Sequence, residues 1–194
     1  MKIETFDLKD AHLRYVSDFF NSEKADFYFK KLKQEIPWKQ DKIKLFGKEH
    51  LQPRLSAFFA EPDINYSYSG LKLKPNYFPE TILKIKKMVE NFSEFEFNSC
   101  LANLYRDGQD SMGWHSDNEK ELGRNPVIAS VSFGAERIFH LKNNADTSLR
   151  KKIVLEHGSL LMMEGSIQHH WKHQLPKTRK IIGPRINLTF RKIY

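Results

Sequence analysis

His115 and Asp117 stand two residues apart in "GWHSDNE", and three of the chain's eight histidines crowd into "HHWKH" at His169–His173. Residues two apart on an extended segment leave the same face, so His115 and Asp117 can reach one ion. In the cluster the same alternation puts His169, Trp171 and His173 on one face and His170 on the other. One ligand from there completes a set of two imidazoles and a carboxylate. That set covers one face of an octahedron and leaves three positions open, which suits an iron(II) ion taking up a cosubstrate and dioxygen together. A His-x-Asp pair alone is also what an ordinary turn offers, so its surroundings must decide.

The C-terminal "PRINLTFRKIY" supplies those surroundings. Arg185, Asn187, Thr189 and Arg191 alternate with Ile186, Leu188 and Phe190, giving one polar and one apolar face. The polar row could be a solvated strand face. Two arginines with Asn and Thr between them could equally grip a dicarboxylate, because the guanidinium fork matches a carboxylate in two-point geometry. "NLYRDG" adds Asn103 and Tyr105, again two apart. Several alternating polar faces in one small β-fold imply a polar interior. A zinc hydrolase is disfavoured, since His-Glu-x-x-His does not occur.

The elements that would carry these residues can be read from composition and period. A chain of 194 residues with 40% hydrophobic and 13% aromatic residues has a globular composition, and one domain spanning 1–194 is expected. After the cap at Asn21–Ser22, "EKADFYFKKLKQEI" places Ala25, Tyr28, Phe29, Leu32 and Ile36 at helical spacing. A second helix opens at Pro79 and repeats Ile82, Ile85, Val89 and Phe92 on one face. From about Asn98 the period shortens to two in "CLANLY", "VIASVSFG", "RIFHLK", "GSLLMME" and "RINLTFR". The expected fold is α+β: a jelly-roll core over 98–194, a helical N-terminal region over 1–44 bracing it, and a recognition region over 45–97.

Net charge is +8, and after Glu164 no acid occurs while seven Lys or Arg do. Phosphate-bearing partners are the first suspects for so basic a chain. Cys100 is the only cysteine, which excludes an internal disulfide framework and fits a reducing compartment. No stretch has the length of a membrane span or a signal-peptide core, so no membrane partner is expected. The expected setting is the cytoplasm, or the nucleus in a eukaryote, and the expected state a monomer.

With these motifs in place, the sequence resembles the AlkB family of Fe(II)- and 2-oxoglutarate-dependent dioxygenases, most of all its double-strand-preferring DNA repair member. The resemblance runs from about Leu45 to Tyr194 through "LFGKEHLQPR", "YSYSG", "NLYRDG", "GWHSDNE", "IASVSFGAERIFHL", "GSLLMMEG", "HWKHQLP" and "PRINLTFRKI". It implies a double-stranded β-helix, with His115, Asp117 and His173 as iron ligands. His169 and His170 match no ligand position. It further implies that Asn103, Tyr105, Arg185, Asn187, Thr189 and Arg191 bind 2-oxoglutarate, Arg191 at its distal carboxylate.

The implied activity is oxidative demethylation of N-alkylated bases, 1-methyladenine and 3-methylcytosine, in duplex or single-stranded DNA. It would use Fe(II), 2-oxoglutarate and O2 and release succinate, carbon dioxide and formaldehyde. An RNA demethylase is the first alternative and a protein hydroxylase the second. A base must leave the stack to react. The resemblance assigns that task to Phe46, Gly47 and Lys48 in "LFGK", to Arg54 at a flanking phosphate, to Tyr66, Ser67 and Tyr68, and to Asn118 and Glu119 after the metal aspartate. Asn118 replaces a second acid in the family pattern and can donate as well as accept, which opens the choice between methyladenine and methylcytosine.

Overall fold

The computed structural model describes residues 2–45, 48–62, 64, 66–68, 71–73 and 75–194. The chain begins with β1 (Ile3–Leu8), β2 (Ala11–Val16), α1 (Ser22–Glu35), β3 (Lys42–Leu45), β4 (Lys48–Leu51), β5 (Leu55–Ala60), β6 (Tyr66–Tyr68), β7 (Leu71–Leu73) and α2 (Glu80–Ser93). It continues through β8 (Ser99–Tyr105), β9 (Met112–His115), β10 (Ile128–Gly134), β11 (Arg137–Asn143), β12 (Arg150–Leu155) and β13 (Leu160–Glu164). A short α3 (Ile167–His170), β14 (Trp171–Leu175) and β15 (Arg185–Arg191) complete it.

Both predicted helices form. The Asn21 side chain accepts from the Lys24 amide at 2.9 Å and caps α1, which buries Ala25, Tyr28 and Leu32. Pro37 follows Ile36 and disfavours further helix there. Helix α2 buries Ile82, Ile85 and Val89 and stops where Glu94 turns left-handed.

The N-terminal region departs from the helical expectation. Residues 3–16 form an antiparallel hairpin whose second strand alternates Ala11, Leu13 and Tyr15 inward and pairs with β13. The period of two in "AHLRYV" was readable, but the adjacent helix signal was stronger. The expected recognition region also gives a strand to the core, since β5 pairs with β8.

Two antiparallel sheets make the jelly roll. The larger has the order β1-β2-β13-β10-β15-β8-β5 and the smaller β12-β11-β14-β9. Helix α1 packs on β10 and β15, so the larger sheet is covered on its apolar side by a core including Leu32, Ile85, Val131, Leu188 and Phe190. A second cluster, with Leu13, Ile128, Leu141, Ile153 and Trp171, joins the two sheets. At the end of β10, Gly134 has φ +89, and a Cβ there would lie 2.4 Å from the Pro184 carbonyl. Only glycine lets β10 close against the start of β15. No helix among the described residues is long and apolar enough to cross a membrane.

Candidate metal and cosubstrate site

The strand register brings the predicted residues together. His173 of β14 pairs directly with His115 at the end of β9, and their rings lie 4.2 Å apart. Asp117 sits just beyond β9, with Oδ1 3.9 Å from His115 Nε2. One donor atom from each of His115, Asp117 and His173 lies within 4.8 Å of the others. His169, expected to share the strand face of His173, instead belongs to the turn of α3, where its ring meets the Arg124 carbonyl. A helical turn broke the alternation that the cluster suggested.

These groups are held in ligand form. His115 Nδ1 is 2.8 Å from the Gly113 carbonyl, so a proton there donates to it and makes Nε2 the nitrogen with the lone pair that a metal would take. Burial and the neighbouring His115 push His173 down to about 3. Burial likewise lowers His115. Burial alone would raise Asp117, but Arg191 and the two imidazoles outweigh it and hold the carboxyl below its usual range. Arg191 donates to Asp117 Oδ2 through Nε at 3.1 Å and Nη2 at 2.8 Å. Asp117 Oδ1 is buried with no hydrogen-bond partner among the described residues. A buried carboxylate oxygen left bare, facing two neutral imidazoles, fits a divalent cation.

Beside this triad runs the polar face of β15. In register, Arg185 lies opposite Tyr105, Asn187 opposite Asn103, and on the other side Asn187 lies opposite Ser132 and Thr189 opposite Ser130. Asn187 donates to Ser130 Oγ at 2.8 Å, and Thr189 Oγ1 to Asn187 Oδ1 at 2.9 Å. Arg185 donates to Ser132 Oγ at 2.9 Å and lies 5.3 Å from the centre of the Tyr105 ring. Burial pushes its guanidinium down to about 10, and its Nε is buried without a hydrogen-bond partner among the described residues. All nine residues expected at the metal and cosubstrate line one cavity.

Arg191 was expected at the far carboxylate of the cosubstrate. Its bond to Asp117 puts it at the metal end, and Arg185 is the buried cation whose Nε has no acceptor among the described residues. Arg54, expected at a flanking phosphate, is 5% exposed and donates to Asn103 Oδ1 at 2.8 Å, so it faces inward and orients a cavity residue. Asn118 is exposed and Glu119 partly buried beside the triad. Lys48 pairs with Leu45 at the end of β3 and β4, and Tyr66, Ser67 and Tyr68 form β6 against β7. Phe46 and Gly47 lie outside the described residues.

Four contributors escaped sequence reasoning. Gln168, 1% exposed, accepts the Asp117 amide at 2.9 Å through Oε1. It lies in the α3 turn, where no period marks it. Ser130 and Ser132 could have been found, since "ASVSF" alternates as "NLY" does. Arg137 is buried and donates to the carbonyls of Asp107, Asp110 and Pro176, tying two loops at the arginine end of the cavity.

Comparison with known proteins agrees with this geometry. Residues 12–191 match the family model of the 2OG-Fe(II) oxygenase superfamily. Alpha-ketoglutarate-dependent dioxygenase alkB homolog 3 from Bos taurus is 42% identical over 185 residues, covering 91% of this chain and 64% of that protein. DNA oxidative demethylase ALKBH2 from Homo sapiens is 38% identical over 184 residues, covering 90% of this chain and 70% of that protein. The chain thus spans less than two thirds of the alkB homolog 3 relative. The solved structure of OsALKBH1 superposes with a TM-score of 0.67 at 17% identity, over 97% of this chain and 100% of that one, a likeness of fold.

Proposed function

The chain belongs to the 2OG-Fe(II) oxygenase superfamily, and from that premise we propose that it oxidatively demethylates N-alkylated bases, 1-methyladenine and 3-methylcytosine, in DNA. The observation that carries this reading is the meeting, in one cavity, of a metal-ready His-Asp-His set and a buried arginine short of an acceptor. Iron(II), when bound, would supply the oxidation, by which 2-oxoglutarate, dioxygen and the N-methylated base give succinate, carbon dioxide and an N-hydroxymethyl base; the C–N bond of that hemiaminal then breaks, its hydroxyl proton passes to the ring nitrogen, and formaldehyde leaves the restored base.

His115 Nε2, Asp117 Oδ1 and a ring nitrogen of His173 would hold the iron. Arg191 keeps Asp117 ionised and aimed, and Gln168 fixes its backbone. Arg185, with Tyr105 against its guanidinium, is assigned to the far carboxylate of 2-oxoglutarate, while Asn103, Asn187 and Thr189 line the wall between the two arginines. A dicarboxylate so held is ordered before the base arrives, and the cavity walls exclude bulk water from it. The flipped base is assigned to the side of Asn118, Glu119 and the β6–β7 ribbon, and the β3–β4 hairpin to the duplex.

Formaldehyde release tests the reading. Oligonucleotides carrying 1-methyladenine or 3-methylcytosine, as single-stranded DNA, duplex DNA and RNA, are incubated with iron(II), ascorbate and 2-oxoglutarate. Release from DNA is expected, and its loss in His115→Ala, Asp117→Ala and His173→Ala but not in His169→Ala. Release from RNA alone would move the substrate class to RNA, and none from any oligonucleotide would remove nucleic acid.

A further inference from the structure

Among the described residues Arg54, Arg137, Arg185 and Arg191 are the buried arginines, none more than 5% exposed. Only Arg191 meets a carboxylate, that of Asp117. Arg54 has the side-chain oxygen of Asn103, and Arg185 the hydroxyl of Ser132. Arg137 bonds to backbone alone, at the carbonyls of Asp107, Asp110 and Pro176. An exposed cation without a partner is solvated by water. A buried one has to be compensated inside, because taking an ion out of water is costly.

Two of these cations share one aromatic ring. The guanidinium carbons of Arg137 and Arg185 lie 5.9 and 5.3 Å from the centre of the Tyr105 ring. The acids near Arg137 are engaged elsewhere. The Asp110 carboxylate accepts two bonds from the Arg106 side chain, at 2.8 and 2.9 Å, and Asp107 Oδ1 accepts the Gln109 amide at 2.8 Å. Burial lowers the proton affinity of Arg137 despite Tyr105, Asp110 and Asp107. Arg185 is lowered first by burial, and Arg137 adds to it. Two like charges held together in an interior destabilise the empty site, so the arrangement points to an anion that arrives from outside. Arg185 lines the cavity where such an anion would sit, whereas Arg137 does not and spends its donors on the two loops.

We propose that Arg137 is a positioning residue for the cosubstrate, whose charge, placed beside Arg185 at the Tyr105 ring, strengthens the hold on the far carboxylate of 2-oxoglutarate without touching it. This role rests on the assignment of Arg185 to that carboxylate. A charge in a low-dielectric interior acts over several ångströms, so contact is not required. The carbonyl bonds keep the charge in place. Asp107 and Asp110 follow Tyr105 beyond β8, and Pro176 follows Leu175 at the end of β14, so one guanidinium also holds the strand of Tyr105 in step with the strand of His173.

The test measures binding of 2-oxoglutarate to the Mn(II)-loaded protein by calorimetry without oxygen, beside 2-oxopentanoate, which has the same chain but no far carboxylate. In Arg137→Gln, 2-oxoglutarate is expected to bind roughly tenfold more weakly or worse, with 2-oxopentanoate near its wild-type affinity. Arg137→Met, also neutral, should behave alike and serves if the glutamine variant does not fold. Arg137→Lys keeps the charge and should recover most of the loss, although an ammonium cannot reproduce the fork that meets three carbonyls. Equal weakening of both ligands, with no recovery in the lysine variant, would make Arg137 a tie between loops and overturn the proposal. A ratio of the two affinities unchanged in the neutral variants would overturn it as well. Arg185→Gln separates the proposal from the assignment beneath it. If that variant keeps the wild-type ratio, the far carboxylate lies elsewhere and the assignment falls, taking the proposal with it; if it collapses the ratio while Arg137→Gln does not, the proposal alone falls.

Discussion

In β15 the polar residues Arg185, Asn187, Thr189 and Arg191 are all buried, whereas in β12 Arg150 and Lys152 are exposed, although polar and apolar residues alternate in parts of both strands. The difference comes from where the strands sit. β15 lies inside the seven-stranded sheet, with α1 against one face and the smaller sheet across the other. β12 is an edge strand, and only its inner face is covered. A buried polar face must be satisfied from within the protein. Asn187 with Ser130, Thr189 with Asn187, and Arg191 with Asp117 do this, and the bare atoms that remain, Asp117 Oδ1 and Arg185 Nε, mark where ligands are wanted. The outer cations have water and need no such partners.

The sharpest way to separate the two faces is Arg191→Ala. It leaves the Asp117 carboxylate buried without its main cation, and breaking a buried pair in this way costs roughly 3–5 kcal/mol. Urea unfolding of the metal-free protein should show that loss. A change below about 1 kcal/mol would mean that water reaches Asp117 and that the polar face of β15 is not an interior.

Acid should find the same interior. His173 is held at about 3, well below the usual 6.5, because burial and the neighbouring His115 disfavour its charged form. Between those values the unfolded chain binds a proton that the folded chain refuses, so metal-free stability should rise with pH, by up to about 1.4 kcal/mol per unit from this group. The contribution is complete above about 6.5. Below the ordinary carboxylate range Asp117 acts in the same direction, since its depressed value means that stability is lost as it takes up a proton. Unfolding in chelator across pH 4–7 measures the slope, and His173→Gln should flatten it. An unchanged slope in that variant would place the titrating group elsewhere.

Gln168→Leu is a smaller perturbation within the interior. It strands the Asp117 amide, at about 1–3 kcal/mol, and lets the carboxylate swing. Supporting groups of this kind are typically worth 10–100-fold in metal affinity. Mn(II) titration followed by calorimetry should show a loss in that range, and an affinity equal to wild type would leave Gln168 a packing residue.

The nine cavity residues were legible because each lies on or beside a strand whose period of two survives folding. His115 and Asp117, Asn103 and Tyr105, and the row from Arg185 to Arg191 needed only that rule and the resemblance to gather them. Gln168 and His169 were not, because α3 interrupts the strand that the histidine cluster suggested. Arg54 was misplaced for a different reason. An arginine near the end of a hairpin reads as a surface cation, and only the packed fold shows that Asn103 draws it inside. The β1–β2 hairpin was hidden by the stronger helix signal next to it.

Lys152→Gln closes the series at the smallest effect and tests the outer side of the comparison. Lys152 is exposed on β12, lies opposite His140 and makes no ion pair among the described residues. Substitutions at such positions usually fall within about 0.5 kcal/mol. The sign should be neutral to favourable. Removing one of the facing charges relieves repulsion, and His140, whose proton affinity burial lowers first and Lys152 lowers further, should regain part of its ordinary basicity. An NMR titration of the His140 ring checks this beside a thermal melt: an upward shift with unchanged melting temperature is expected. A loss of stability above about 1 kcal/mol, with the His140 titration unmoved, would mean that Lys152 packs on the sheet through its methylene stem and that this face is held by structure as firmly as the inner one.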